Sequence, residues 1–164
     1  MGEIQIRKGT EQDMAAAHAL VRELALFEKA PEEVETTAEV YAQDGFGDQS
    51  WFQLFVAEHE TEGVVGIALF YLGYSTWKGK MLYLDDLVVS EQWRRKGIGS
   101  RLLDQLIRHA AEIGARQVRW QVLDWNESAM ELYRKVGAKF ETEWYDCKLN
   151  HEQIQAWASD KTHS

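Results

Sequence analysis

The chain of 164 residues has one cysteine, one proline and a shortage of basic side chains. With Cys147 alone, no intrachain disulfide can form, and a reducing compartment, the cytoplasm, is the expected location. Pro31 being the only proline, there is no proline-rich linker, and neither a repeat nor a low-complexity tract interrupts the sequence. Lys and Arg number 18 against 27 Asp and Glu, a net charge of −9. Such a balance argues against general nucleic-acid binding, which needs phosphates neutralised by cations. It favours small cationic partners, whose local concentration a negative field raises. The longest nearly unbroken apolar run, Val64 to Leu72, falls far short of the roughly 20 residues of a membrane helix. The first residues carry no basic region followed by an apolar block, so no secretion signal is read there. His18, His59, His109, His151 and His163 show no metal-ligand spacing, and no metal is assigned.

What is present is apolar and aromatic. Hydrophobic residues make up 45% of the chain, and 7 Trp, 6 Tyr and 6 Phe demand a core, which one domain over 1–164 can supply. Alternation at Ile4 and Ile6 predicts a strand at about 3–8. Met14, Ala17, Val21, Leu24 and Phe27 recur at helical spacing over 11–28, after Thr10 as a cap. A short helix is expected from Thr36 to Gln43, closed by Asp44-Gly45. Trp51–Glu58 and Val64–Leu72 read as a hairpin, and Met81–Val89 as a further strand. Ile98, Leu102, Leu106, Ala110 and Ile113 stripe a long helix that Gly114 can end. A strand over Gln117–Leu123 follows, then a helix capped by Asn126 with Ala129, Met130, Tyr133 and Val136 facing inward and Gly137 closing it. A last strand over Lys139–Leu149 and a helix over Asn150–Ala158 complete the order β-α-α-β-β-β-α-β-α-β and a closing helix. This is an α/β fold with a mixed sheet, antiparallel in its first half and joined by helix crossovers in its second.

The segment richest in chemistry is Leu84-Asp85-Asp86-Leu87-Val88-Val89, followed by Ser90-Glu91-Gln92-Trp93-Arg94-Arg95-Lys96-Gly97-Ile98-Gly99-Ser100. A strand runs into a loop with three successive cations, and two glycines then open an amphipathic helix. Free backbone N–H groups and the positive dipole end of a helix bind phosphate. A bare Gly-x-Gly often marks only a tight turn; the strand-loop-helix setting and the basic run add the phosphate reading. A P-loop is excluded because Ser100-Arg101 follows Gly99 where Lys-Ser/Thr is required. A dinucleotide fingerprint is excluded because Leu102 stands where a third small residue belongs.

Arg94-x-x-Gly97-x-Gly99 resembles the acyl-CoA pyrophosphate loop of the GNAT superfamily of N-acetyltransferases, and the element order is similar from end to end. Asp44-Gly45-Phe46-Gly47, Tyr74-Ser75-Thr76-Trp77-Lys78-Gly79, Tyr83-Leu84-Asp85-Asp86 and Leu123-Asp124-Trp125-Asn126 resemble the diamine (spermidine/spermine) branch. Within it, Ser75-Thr76-Trp77-Lys78 and Leu123-Asp124-Trp125-Asn126 are most similar to the thialysine N-epsilon-acetyltransferases. The likeness covers about residues 3 to 158.

The resemblance implies a sheet splayed at a parallel pair, with acetyl-CoA as cosubstrate. Leu87, Val88 and Val89 would bind the pantetheine arm through their backbone. Arg94, Arg95, Lys96, Gly97, Ile98, Gly99 and Ser100 would wrap the pyrophosphate. Asn126, Glu127, Ser128 and Ala129 would touch the far side of the cofactor arm, and Tyr133 would stand by the thioester sulfur as the catalytic acid. Phe27, Glu28, Trp77, Asp85, Arg119, Trp120 and Gln121 would line the amine site, with Asp85 as base. Asn126 and Tyr133 are seven residues apart, on one helical face within about 20°. Two departures stand out: related enzymes commonly carry Glu where Asp85 stands, and polyamine-specific members commonly carry an acid where Ser75 stands. The implied activity is transfer of acetyl to a small cationic amine, either thialysine or a lysine-like amine, or a short diamine, by direct attack, in a homodimer. The alternatives are an acetyltransferase of protein lysines or N-termini, and a non-catalytic acyl-CoA-binding module.

Overall fold

A computed structural model describes residues 2–163 and divides the chain into two compact units, 1–123 and 124–164. In the first unit, five strands lie in the order β1-β2-β3-β4-β5: β1 (Ile4–Lys8), β2 (Gln53–His59), β3 (Gly63–Ser75), β4 (Gly79–Val89) and β5 (Gln117–Arg119). The first four are antiparallel neighbours, and β4 pairs β5 in parallel. The mixed α/β sheet expected from the sequence is therefore present. β5 is much shorter than the expected Gln117–Leu123: pairing stops at Tyr83↔Arg119, leaving Leu84–Val89 with no strand partner on that side of β4 among the described residues. The splay is thus a backbone edge with unspent donors and acceptors.

α1 (Met14–Phe27) and α2 (Ala38–Phe46) pack with one another, and α3 (Ile98–Glu112) is the crossover between β4 and β5. Met14, Ala17 and Leu20 of α1 are buried with Leu54, Val56, Ile67, Leu69 and Val88 of the sheet. The alternate residues of β2 and β3 meet α3: the Phe55 and Phe70 rings stack at 5.5 Å, and each lies 5.4 Å from His109. Leu102, Leu103 and Leu106 are wholly buried, each side chain contributing about 1.5–3 kcal/mol through its removal from water. The entry to α1 is a single turn of 3₁₀ helix over Glu11–Asp13 instead of a helix from residue 11. Asp13 accepts from the Thr10 N–H at 2.7 Å and is held by both terminal nitrogens of Arg7, at 2.8 and 2.9 Å. Arg7 Nε also donates to Glu58 at 2.6 Å, so one guanidinium ties β1, β2 and the start of α1. That pairing lowers the Asp13 carboxyl below the usual range.

α2 does not stop at Asp44-Gly45 but runs through both to Phe46. Gly45 is buried, and a Cβ there would lie 2.7 Å from the Phe52 ring. The glycine is required by close packing, which outweighs its weak helix propensity.

In the second unit, α4 (Glu127–Lys135) and α5 (His151–Ser159) are the α-helices. Asn126 caps α4 by accepting from Ala129 N–H at 3.3 Å, and Arg134 pairs Glu127 at 2.6 Å. Tyr133 is buried, whereas Val136, expected inward, is exposed. Asn150 and Gln153 form a reciprocal capping box on α5. The expected last strand over Lys139–Leu149 is not formed: among the described residues those positions belong to no strand, and Trp144, Tyr145 and Leu149 are exposed. No helix among the described residues is long and apolar enough to cross a membrane.

Candidate active site

Three carboxylates meet at the splayed part of the sheet. The β3–β4 ladder shifts register between Leu69 and Phe70: Leu69 pairs Asp86, Phe70 pairs Leu84, and Asp85 is the extra residue of a bulge. A bulge breaks the alternation that would send successive side chains to opposite faces. Both carboxylates accordingly act on one neighbour, raising the Tyr41 phenol of α2 by their fields in addition to the larger effect of burial. Glu28, the C-cap of α1, supplies the third acid, and burial raises its carboxyl. Asp85 reaches the surface, yet the protein packed around its carboxyl raises it too. Asp86 is the most perturbed: burial, then the charge of Asp85, then that of Glu28 push it up to about 7. A carboxyl at that value is poised to exchange protons at neutral pH. On β3, Tyr71 lies in the field of Asp85 and stacks on Tyr83 at 5.1 Å.

The sequence reading placed Asp85 and Glu28 here and passed over Asp86, Tyr41 and Tyr71. Phe27 precedes Glu28 on the last turn of α1 and is partly exposed. Arg119 ends β5 opposite Tyr83, with Trp120 and Gln121 beyond the paired residues. Trp77 is not brought to the carboxylates. It sits at the tip of the β3–β4 hairpin, about 20 Å along the ladder from the Leu69–Asp86 pair, and is 90% exposed. Ser75 Oγ accepts from the N–H of Trp77 at 3.3 Å and of Lys78 at 3.1 Å, so this hydroxyl caps the turn.

Where β4 ends, the chain turns into α3 through two left-handed residues, Arg95 (φ 62°) and Gly97 (φ 78°). Among the described residues no side chain caps the first turn of α3, so the N–H groups of Ile98, Gly99 and Ser100 stay open. Space beside Gly97 is empty: a Cβ there would meet nothing within 4 Å. Arg95 and Lys96 are exposed beside these donors. Uncapped donors, a positive helix end and two free cations suit a pyrophosphate. The edge of β4 through Leu87, Val88 and Val89, which has no strand partner among the described residues, can exchange hydrogen bonds with an amide-bearing arm, Val89 O being already taken by Arg94. Arg101 is turned away, donating to Ile4 O at 2.9 Å. Arg94 is folded back onto Val89 O at 3.0 Å. In the second unit, Asn126 and Ala129 are joined by the cap, Glu127 is paired and Ser128 is exposed.

An uncapped helix start beside two exposed cations, a strand edge opened by splaying and a carboxylate cluster on the same strand together suit a group-transfer scaffold. Residues 17–138 match the Acetyltransferase (GNAT) family, and the chain belongs to that family; it is an acetyltransferase. Thialysine N-epsilon-acetyltransferase of Bos taurus is 38% identical over 96% of this chain and 99% of its own. The Caenorhabditis elegans thialysine N-epsilon-acetyltransferase is 33% identical over 87% and 89%. Among solved structures, an aminoglycoside acetyltransferase from a soil metagenome shares the fold with a TM-score of 0.73 at 23% identity, over 90% of this chain and 97% of that one.

Proposed function

We propose that the protein transfers acetyl from acetyl-CoA to the primary amine of a small cationic substrate, thialysine, a lysine-like amine or a short diamine, by direct attack. The observation that carries this reading is the cluster of Glu28, Asp85 and Asp86, with Asp86 pushed up to about 7. An alkylammonium of pKa near 10.4 is only about 0.04% neutral at pH 7, which costs roughly 4.6 kcal/mol. The three carboxylates attract the cation, and Asp86 or Asp85, directly or through water, takes its proton. The freed nitrogen pair forms the new bond to the acyl carbon as the bond to sulfur breaks. Tyr133 gives the departing sulfur its proton, and the nitrogen sheds its second proton to solvent. Acetyl-CoA supplies the acyl group; the loop from Arg95 to Ser100 holds its pyrophosphate, and the N–H groups of Leu87 and Val89, which alternate with that of Val88 and face the open edge, hold its arm and meet charge developing on the carbonyl oxygen.

The lysine-like acceptor is supported by the similarity to the thialysine enzymes and by Ser75, whose hydroxyl is committed to the hairpin turn and carries no charge for a second ammonium. The two units are proposed to act as one catalytic domain, since the family match runs across both. A homodimer is proposed as well, supported by the unpaired, exposed stretch over 139–149. The test is a side-by-side measurement of CoA release with thialysine, lysine, short diamines, spermidine and spermine. Thialysine, lysine-like amines or short diamines should lead in kcat/KM. A strong spermine preference would move the substrate to the long polyamines, and no release with any amine would refute the reading.

A further inference from the structure

We propose that Arg94 is a positioning residue that ties the acyl-donor loop to the acceptor end of α1. The proposal rests on the reading of the site given above. Of the three successive cations before α3, Arg95 and Lys96 are exposed, whereas Arg94 is half-buried and turned away from the open helix start. Its Nε donates to Val89 O at 3.0 Å, at the last residue of the splayed edge. Its guanidinium lies 5.4 Å over the Phe27 ring, and Nη2 is 3.7 Å from Glu23 Oε1. That same Glu23 oxygen accepts from the Glu91 N–H at 2.8 Å.

Glu23 and Phe27 are four residues apart and share one face of α1, so two successive turns of the helix grip the segment 89–94. The residue after Phe27 is Glu28, the third carboxylate of the site. Lys29 then holds a left-handed conformation (φ 64°) that ends the helix, and Ala30 N–H closes onto Ala25 O at 2.9 Å. The last turn of α1 therefore leads by rigid, bonded steps from Arg94 to Glu28. The planar guanidinium is suited to this work, since it can bond a carbonyl through Nε and stack on a ring at once. An ammonium on a flexible stem can do one or the other. Occupancy of the loop by a pyrophosphate fixes the backbone on either side of Arg94, and through it the position of Phe27 and Glu28 at the acceptor.

The experiment compares wild type with Arg94→Gln, Arg94→Lys and Glu23→Gln, the last breaking the tie from the other side while leaving the loop sequence intact. Hydrogen exchange of residues 24–30 is measured with and without acetyl-CoA, alongside acetyl-CoA affinity by calorimetry and full kinetics. Acetyl-CoA is expected to slow exchange at 24–30 in wild type but not in Arg94→Gln. Its affinity should change less than threefold, and the acceptor KM should rise at least fivefold with kcat little altered. Arg94→Lys should rescue little, and Arg94→Gln combined with Glu23→Gln should be no worse than Arg94→Gln alone. Equal protection in wild type and Arg94→Gln would overturn the proposal. A tenfold loss of acetyl-CoA affinity with an unchanged acceptor KM would do so too, by assigning the side chain to the phosphate. Should wild type bind acetyl-CoA yet acetylate no amine, the functional reading fails while the exchange comparison still decides the tie.

Discussion

Asp86 pairs with Leu69 across the β3–β4 ladder, while Asp85, one residue earlier, is the bulged residue with no partner on β3. Two successive carboxylates thus share one neighbourhood, and burial with two flanking negative charges pushes Asp86 up to about 7. The kcat/KM for an amine should therefore rise with pH through an apparent value near 7, as the cluster loses its shared proton. Asp86→Asn removes both the proton acceptor and one attracting charge, and kcat/KM should fall 10²–10⁴-fold with the inflection gone. Asp85→Asn should shift the inflection downward, since one source of repulsion is lost. A pH profile in Asp86→Asn that matched wild type would move the base elsewhere.

The same perturbation predicts a stability effect of definite sign. The Asp86 carboxyl is raised from 3.8 to about 7, so between those values the folded protein holds a proton that the unfolded chain has released. Stability from this group is full below about pH 4 and is lost as pH climbs through about 7. Asp86→Asn stays neutral throughout, and at pH 8 it should be more stable than wild type by on the order of 2–4 kcal/mol. Toward pH 4 the difference should vanish. Urea midpoints at the two pH values read it directly, and an equal difference at both would show a packing effect instead.

How far the sequence showed this site follows from how local each cause is. The loop from Arg95 to Ser100 could be proposed from the sequence because its cations and glycines are consecutive, whereas the turn of Arg94 onto Val89 O and Phe27 could not, since those partners lie on β4 and α1. α3 was legible because Ile98, Leu102, Leu106 and Ala110 keep one face and Gly114 ends it. Asp86 was hidden, because its perturbation comes first from burial, then from the charges of Asp85 and Glu28, and burial and the approach of Glu28 depend on tertiary packing. Gly45 was misread as a stop because the reason for it, the Phe52 ring, lies beyond the helix. Lys139–Leu149 has strand composition, but composition cannot supply a neighbouring strand, and no strand among the described residues pairs with it.

Gly99 stands in the first turn of α3, where the open N–H groups gather. A carboxylate there favours the helix dipole, so Gly99→Glu should leave the melting temperature within a few degrees. The same charge repels a pyrophosphate, and the acetyl-CoA dissociation constant should rise at least tenfold. Calorimetry with the folded variant decides; unchanged affinity would take the cosubstrate away from this loop.

The stretch from Lys139 to Leu149 has no strand partner among the described residues, with Trp144 at 74% and Tyr145 at 95% exposure. Irregular backbone beside large exposed aromatic side chains is a surface that a second copy of the chain can cover. Sedimentation should give the mass of a dimer at micromolar concentration, and Trp144→Ser combined with Tyr145→Ser should weaken association at least tenfold. A monomer in wild type would contradict the homodimer.

Tyr133 is the proposed general acid, and one substitution separates that role from packing. It is the buried tyrosine of α4, a helix whose start is fixed by the Asn126 cap. A phenol is protonated at neutral pH and can donate to a departing thiolate without tuning. Tyr133→Phe keeps the ring and nearly all of its packing, so it isolates the hydroxyl. General acid catalysis contributes about 10²–10⁴-fold, or roughly 3–5 kcal/mol of barrier, and kcat should fall in that range. Acetyl-CoA affinity should hold within about threefold, because the loop before α3 supplies the anion site. A lowered melting temperature with kcat within about threefold of wild type would make Tyr133 a packing residue and leave the thiolate to be protonated by water. A fall in kcat without a change in melting temperature assigns the proton to the hydroxyl, since no loss of core contacts would then accompany the loss of rate.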